Sequence, residues 1–266
     1  MAGLIISVIT NKGGTGKTTT VVSLGQALVR EGKKILVVDN DSQCNASNIL
    51  LEGEPRNSLF EILKSDKCVP IDDCIYSTEF EQNLHCIPNV PDTATLEPEL
   101  IQKGTKEGFN VLRKGLRNYA LENFDITLID NPPNMGIFVV NSLHCSDFAI
   151  VPTEAGSTHS IRGLIKAVQF IQDIGNDPEG NPGLSFLRLL VTKVDRRTSV
   201  NHIIMDQLKA QFGKDHMFET AIPINTSIQK AELMDQTVFE HDSKSTAAKA
   251  YQELAKELIP ILEQQE

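Results

Sequence analysis

The chain has 266 residues, 40% of them hydrophobic, and its 25 Lys and Arg against 35 Asp and Glu give a formal net charge of −10. This composition is typical of a globular protein that buries a core. No apolar run of about 18 residues occurs, and the start MAGLIISVIT lacks a basic stretch, so we expect neither a transmembrane helix nor a signal peptide. The acidic balance argues against a strongly basic nucleic-acid binder, although it leaves room for a local basic patch.

The five cysteines are odd in number, and no two of them are spaced as C-x-x-C. We therefore expect free thiols in a reducing cytoplasm, and neither an iron–sulfur cluster nor a zinc site. The six histidines also lack the spacing of metal ligands.

Short β-branched apolar runs alternate with helical stretches along most of the chain. The expected strands are 4–9, 35–38, 126–129, 148–151 and 186–191, and the expected helices are 18–30, 108–123, 135–144, 160–174, 200–212 and 245–263. Such runs are typical of parallel strands that are covered on both faces. The alternation predicts an α/β fold with a doubly wound, mostly parallel sheet flanked by helices. Residues 56–106 are less regular, with one short strand expected near His85, and we interpret 1–266 as a single domain.

A glycine-rich segment, GGTGKTT at residues 13–19, follows the first expected strand and precedes the first helix. Its glycines let consecutive backbone N–H groups face an anion, and the helix adds its positive amino end. We predict that this loop binds nucleotide phosphates, with Lys17 reaching the β- and γ-phosphates and Thr18 ligating Mg²⁺. The general pattern G-x-x-x-x-G-K-[ST] is not met, because Asn11 stands where its first glycine belongs, and Lys12 is an additional lysine.

Acidic residues follow two other expected strands. Asp39 and Asp41 come after the second strand, and Asp130 ends the strand at 126–129. Because strand ends of a parallel sheet face the ligand crevice, we expect the Asp130 carboxylate beside the Mg²⁺. An acidic residue after a strand is commonplace alone, so the order of these segments after the phosphate loop gives them their weight.

The segment KGGTGKTT at residues 12–19 resembles the deviant Walker A motif of the ParA/MinD ATPase superfamily. Residues 37–47 look like that family's D-x-D-P-Q-x-N-x-S segment, and residues 126–136 resemble its I-D-x-P-P-x-x-G segment. Similar segments follow at 151–154, 190–198, 221–225 and 247–255, so the resemblance covers nearly the whole chain except 56–106. The departures are Asn40, Ser42 where proline is usual, and Asn131 where a small residue is usual. The chain looks like the short, Soj-like type of ParA.

This resemblance implies an ATPase that uses ATP and Mg²⁺. It implies that Lys12 crosses a dimer interface to the partner's nucleotide and that Asp41 orients the attacking water. The implied nucleotide contacts are Lys12, Gly13, Gly14, Thr15, Gly16, Lys17, Thr18 and Thr19, with adenine near Thr192 and Pro223. The implied metal site comprises Thr18, Asp41 and Asp130.

The family also implies a homodimer that forms on ATP binding and holds double-stranded DNA without sequence preference. A ParB-like partner would stimulate a hydrolysis that is weak alone, in plasmid or chromosome partition within a bacterial cytoplasm. The DNA contacts would include Arg196, Arg197 and Lys230. Ser227 and Ile224 stand where the family has arginines, which leaves the DNA surface open.

Four alternatives use the same scaffold. A related ATPase positions a protein cargo such as carboxysomes or chemoreceptor clusters. A MinD-like membrane regulator is disfavoured, because the C-terminal tail is acidic and interrupted by Pro260. A GTPase is suggested only by the T-K-x-D match at residues 192–195. A nitrogenase-reductase-like enzyme needs cysteine ligands in a pattern that Cys44 and Cys145 do not form.

Overall fold

The computed structural model describes residues 3–65, 69–154, 158–195 and 199–265. Within these ranges, seven strands form one sheet in the order β3-β4-β2-β5-β1-β6-β7. The strands are β1 (Leu4–Val8), β2 (Ile35–Asp39), β3 (Tyr76–Ser77), β4 (Leu84–Ile87), β5 (Ile126–Asp130), β6 (Phe148–Glu154) and β7 (Ser185–Thr192). All neighbours are parallel except β3, which is antiparallel to β4. The predicted α/β fold with a mostly parallel sheet is confirmed.

Helices lie in most connections between the strands and in the chain after β7. They are α1 (Lys17–Arg30), α2 (Asn45–Leu50), α3 (Leu59–Lys64), α4 (Glu97–Glu107), α5 (Val111–Asn123), α6 (Ile137–Cys145), α7 (Thr158–Asn176), α8 (Ser199–Phe212), α9 (Thr226–Leu233), α10 (Val238–Asp242) and α11 (Thr246–Glu263). The six long helices expected from the sequence occur with ends shifted by at most three residues. The largest shift is in α5, because residues 108–110 form a 3₁₀ turn ahead of it.

Two helical layers cover the sheet, because side chains alternate between its faces along each strand. On β1, Ile6 and Val8 pack in the cluster that holds α1 and α11. Ile5 faces the opposite layer with α3 and α5, and Ile9, just beyond the strand, packs there with α6 and α7. The core therefore lies on both sides of the sheet.

The last helix, expected over 245–263, is confirmed and continues past Pro260, so this proline does not interrupt the tail. Proline removes one backbone hydrogen bond, but Pro260 lies three residues before the end of α11, and Leu258 and Leu262 on either side are fully buried. The apolar stripe of α11, which includes Tyr251 and Leu254, packs into the core as expected.

One edge of the sheet is short and the other is covered. At one edge β3 has only two residues. At the other, the chain after α8 runs beside β7, where Phe218 and Ile222 donate backbone hydrogen bonds to the carbonyls of Leu189 and Val191 at 2.9 Å. Such short or covered edges leave few backbone groups free for another strand.

The cysteines in the described ranges are Cys44, Cys74, Cys86 and Cys145, and all four are free and buried. Cys68 lies outside those ranges. Among the described residues, no helix combines the length and the apolar character that crossing a membrane requires.

Candidate functional site

The phosphate loop lies between the carboxyl end of β1 and the first turn of α1. Gly14 and Gly16 adopt left-handed backbone conformations, with φ of +74° and +83°, which favour glycine. A methyl group added at Gly13, Gly14 or Gly16 would meet no atom of the described residues within 4 Å. The concave side of the loop is therefore open to a ligand.

A cavity of about 420 Å³ lies over this loop. Seven of the predicted site residues line it: Gly13, Gly14, Gly16, Lys17, Thr18, Thr19 and Asp41. Seven residues that were not predicted complete the lining: Gln43, Asn45, Ile49, Pro133, Lys193, Glu232 and Asp235. The cavity thus combines the phosphate loop with segments that follow β2, β5 and β7.

Lys17 is the buried one of the two lysines in the described lining of this cavity. Burial lowers the pKa of its ammonium, while the carboxylates of Asp130 and Asp41 act in the opposite direction and raise it. An ammonium that is only partly compensated by carboxylates favours an incoming anion such as a phosphate.

Asp39 and Asp130, the last residues of β2 and β5, lie side by side on these adjacent strands. Asp39 accepts hydrogen bonds from the Ser47 amide at 2.8 Å, the Ser47 hydroxyl at 2.6 Å and the Asp41 amide at 3.1 Å. Burial raises its pKa, and these hydrogen bonds oppose that rise. Asp39 therefore fixes the loop after β2 and has little capacity left for a ligand.

Asp130 is buried as deeply, but neither carboxylate oxygen has a hydrogen-bond partner in the described part of the chain. Burial and the carboxylate of Asp39 raise its pKa, against the lowering effect of the nearby Thr18 hydroxyl and Lys17 ammonium. A buried carboxylate without a partner is costly, and a hard cation with oxygen ligands relieves that cost. Asp130 and Thr18 therefore fit a Mg²⁺ site at this edge of the sheet.

Lys12 lies outside the cavity lining. Its ammonium contacts the Glu154 carboxylate at the end of β6, with a distance of 3.0 Å from Nζ to Oε2. The two side chains are 49% and 35% exposed, and such exposed ion pairs contribute only about 0–1 kcal/mol. Lys12 is thus held loosely at the rim.

Comparisons with known proteins show the family to which this chain belongs. A family model described as "AAA domain" matches residues 3–185. The sporulation initiation inhibitor protein Soj of Bacillus subtilis is 31% identical over 258 residues, which cover 96% of this chain and 98% of Soj. The chromosome partitioning protein ParA of Myxococcus xanthus is 30% identical over 259 residues, covering 97% of this chain and 88% of that protein. The chain belongs to the ParA/Soj family of partition ATPases.

A solved structure supports the fold of this ParA/Soj family member. It is that of cobyrinic acid a,c-diamide synthase from Mycobacterium smegmatis with bound ADP and magnesium. It is 26% identical, has a TM-score of 0.82, and the match covers 99% of this chain and 97% of that one. The α/β architecture around the phosphate loop is therefore shared.

Thr192 and Pro223 do not line the cavity over the phosphate loop. Thr192 is buried, and its hydroxyl donates to the Thr15 carbonyl at 2.9 Å and lies 3.2 Å from the Thr153 carbonyl. It therefore supports the phosphate loop from behind. Pro223 lines a larger cavity of about 1150 Å³ beside α11. Contact of either residue with adenine stays a prediction, and Lys193 is the member of this segment that lines the nucleotide cavity.

Of the predicted DNA contacts, Arg196 and Arg197 lie outside the described residues. Lys230 is exposed on α9. Ile224 is 58% exposed, and the Ser227 hydroxyl donates to Asp242 at 3.4 Å. That these residues of the chain bind DNA stays a prediction.

Sequence reasoning missed several contacts around the cavity. The Thr19 hydroxyl donates to Glu232 of α9 at 2.6 Å. Cys44, Lys193 and Asp235, at or beside the lining, have left-handed backbones with φ of +58°, +54° and +49°. Residues other than glycine rarely adopt this conformation, and it is enriched where a fold holds functional loops. The left-handed backbone gave no signal in the sequence, because none of these residues is glycine.

Proposed function

We propose that this chain is an ATP-driven partition switch of one domain. It binds ATP and Mg²⁺, closes into a homodimer around the nucleotides, holds double-stranded DNA without sequence preference, and hydrolyses ATP when a ParB-like protein stimulates it. The observation that carries the proposal is one cavity that joins an open phosphate loop with Lys17 and Asp41. The Asp130 carboxylate lies outside that lining at the same sheet edge, and its oxygens have no hydrogen-bond partner within the described residues. The likeness to Soj along 96% of the chain supports the partition role.

Binding and orientation of ATP would come from the loop and from Lys17. The amides of residues 13–19 and the amino end of α1 face the phosphate oxygens, and Lys17 adds a charge-assisted hydrogen bond. Mg²⁺, when bound, neutralises phosphate charge, and the Thr18 hydroxyl, Asp41 and Asp130 are the groups that would hold it. These groups fix the geometry on which phosphoryl transfer depends.

Asp41 would orient the attacking water. It lines the cavity, and its loop is held by the hydrogen bond from the Asp41 amide to Asp39. A carboxylate held there accepts a hydrogen bond from water and turns the oxygen lone pair toward the terminal phosphate. Asp41 therefore acts by placement.

Lys12 would complete the site of the second subunit. To do so it must leave Glu154, and this exposed ion pair is weak enough for the phosphate charge of a partner's ATP to replace it. Active sites would then form only in the ATP-bound dimer.

The experiment for this proposal is DNA binding by Asp41→Ala, a variant expected to retain ATP because its hydrolysis is blocked. Random-sequence duplex DNA is titrated with and without ATP and Mg²⁺ over a salt series. We expect binding only with ATP, and affinity that falls steeply with salt, as phosphate contacts require. Lys17→Ala with ATP is the control, and it should not bind DNA. If the Asp41→Ala variant forms a dimer with ATP but does not bind DNA, the proposed DNA binding is wrong.

The contribution of Lys230 is tested in the same assay. Lys230→Gln should reduce the salt dependence by about one unit of log K per log salt for each lost phosphate contact. Lys106→Gln is the matched control, because Lys106 is 81% exposed on a different helix. Equal salt slopes in both variants would remove Lys230 from the DNA surface.

A further inference from the structure

A pair of buried asparagines joins the ends of β2 and β5. Asn40 is 1% exposed and Asn131 is fully buried. The Asn40 side-chain amide Nδ2 donates to Asn131 Oδ1 at 2.8 Å and to the Phe138 carbonyl at 2.8 Å. Asn131 Nδ2 donates in turn to the carbonyls of Val8 at 3.3 Å and Ile129 at 3.2 Å. The pair, called here the asparagine bridge, therefore connects four elements: β1, β2, β5 and α6.

The asparagine bridge lies directly behind the residues that line the nucleotide cavity. Asn40 stands between Asp39 and Asp41 in the sequence, and Asn131 follows Asp130. A shift of either asparagine therefore moves a carboxylate next to it. A backbone hydrogen bond from the Asn40 amide to the Asp130 carbonyl, at 2.8 Å, also joins the two strand ends.

The bridge needs both of its members. Buried side-chain amides are costly unless they are hydrogen-bonded, and removal of one partner leaves the other unsatisfied. The orientation of each amide is fixed, because the Phe138, Val8 and Ile129 carbonyls only accept hydrogen bonds. Both asparagines also depart from the ParA pattern noted above, and these two departures contact each other.

We propose that the asparagine bridge positions Asp41 relative to Asp130 for ATP hydrolysis. This inference rests on the proposed ATPase function. Asn40 and Asn131 are positioning residues, since they act on the reaction through the neighbouring carboxylates. Because a misplacement of about 1 Å at a reacting group can cost about 100-fold in rate, loss of the bridge should slow turnover more than it weakens ATP binding.

The test compares kcat and KM for ATP in Asn40→Ala, Asn131→Ala and the double variant, at saturating Mg²⁺ and at a temperature where each is folded. We expect each single variant to lose about tenfold in kcat while KM changes less than about twofold. The double variant should be no slower than the slower single variant, because the two residues act as one unit. Asn131→Ser, which is too short to reach Asn40, replaces Asn131→Ala if that protein does not fold.

Asn181→Ala is the matched control for stability. Asn181 is also buried, and its amide donates to the Leu143 and Ser146 carbonyls, away from the nucleotide cavity. This variant should lower Tm and leave kcat unchanged, which separates loss of packing from loss of positioning.

Parental kcat in both single variants, or losses that multiply in the double variant, would overturn the bridge while the ATPase function stands. A parental chain that releases no phosphate from ATP above the metal-free background would overturn the proposed function, and the bridge with it.

Discussion

Two buried carboxylates at opposite ends of the central sheet have opposite surroundings. At the amino end, Asp147 accepts a hydrogen bond from the Ile5 amide at 2.9 Å and pairs with Arg117. At the carboxyl end, Asp130 is more deeply buried, and neither of its oxygens has a partner within the described residues. The same type of side chain is therefore structural at one end and available to a ligand at the other.

One buried asparagine at the amino end and two polar groups at the carboxyl end show a similar contrast. Asn181, near the amino end, uses its amide for two backbone carbonyls and accepts from Arg113 at 3.0 Å. At the carboxyl end, Asn40 Oδ1 and the Thr15 hydroxyl have no partner within the described ranges. Since native proteins leave few buried polar groups unpaired, unpaired groups beside the phosphate loop are candidates for contact with a ligand. We expect substitutions at the two ends to separate function from stability.

The largest effect is expected for Lys17→Ala at the carboxyl end. The variant loses the ammonium that faces the phosphates, and a charge-assisted hydrogen bond contributes about 1.5–3 kcal/mol, so ATP affinity should fall by about 100-fold. Titration with a fluorescent ATP analogue measures this. Lys34→Ala, an exposed lysine at the other end of the sheet, is the control and should bind like the parent. Equal affinities in all three proteins would end the assignment of the phosphate loop.

The next effect should appear at the amino end and in stability. Arg117→Met leaves the Asp147 carboxylate, which is 19% exposed, without its cation. Breaking a largely buried pair on one side is destabilising, so we expect the free energy of unfolding to fall by about 2–3 kcal/mol. Denaturant titration measures the loss, and ATP affinity should stay parental. A variant that loses affinity but keeps stability would contradict the division between the ends.

The third prediction concerns pH and metal removal. The folded pKa of Asp130 is raised by burial, so in metal-free and nucleotide-free protein the folded state binds more protons than the unfolded state above about pH 4. The free energy of unfolding should therefore fall as pH rises toward 8. Asp130→Asn should reduce this slope and raise stability at pH 8 by roughly 1–3 kcal/mol.

Thermal unfolding between pH 5 and 8, with and without Mg²⁺ and ATP, checks the Asp130 prediction. Addition of Mg²⁺ with ATP should stabilise the parent more than Asp130→Asn, because the variant lacks the anionic oxygen. The free energy of unfolding of the variant should still depend weakly on pH, because burial raises the pKa of Asp39 as well. If the free energy of unfolding changes equally with pH in the parent and in Asp130→Asn, the prediction that Asp130 causes this pH dependence is wrong.

The smallest effect is expected for Thr192→Val, which keeps the shape of the side chain and removes the hydroxyl. Loss of the hydrogen bond to the Thr15 carbonyl should cost about 1 kcal/mol of stability and lower ATP affinity a few-fold. Competition by ATP and GTP decides how Thr192 acts. An unchanged preference between them supports its role behind the loop, whereas a changed preference supports contact with the base.

The sequence predicted those parts of the molecule that depend on short stretches of chain. The apolar runs of β1, β2 and β5 indicated buried parallel strands, and GGTGKTT indicated a phosphate loop, because both patterns are local. The two-residue strand β3 carries too short a pattern to detect. Pro260 lies inside the helix that was expected over 245–263, and packing of α11 against the core offsets the low helix propensity of proline.

The partners of the site residues were less accessible to sequence reasoning. Asn40 and Asn131 were noticed as departures from a family pattern, but they are 91 positions apart, and only the register of β2 with β5 brings them together. The hydrogen bond from Thr19 to Glu232 likewise joins residues that are 213 positions apart, and it depends on where the fold places α9. The motifs therefore predicted which segments form the site, whereas the contacts that hold it depend on tertiary structure.

The short edge of the sheet at β3 and the covered edge at β7 limit how two copies of this protein can associate. A second copy cannot readily lengthen the sheet by adding a strand, because one edge ends in the two residues of β3 and the backbone at Leu189 and Val191 is already engaged at the other. Assembly through continuous sheets, which tends to be hard to reverse, is thereby disfavoured. Association of two copies, as proposed above, would instead use side chains and loops.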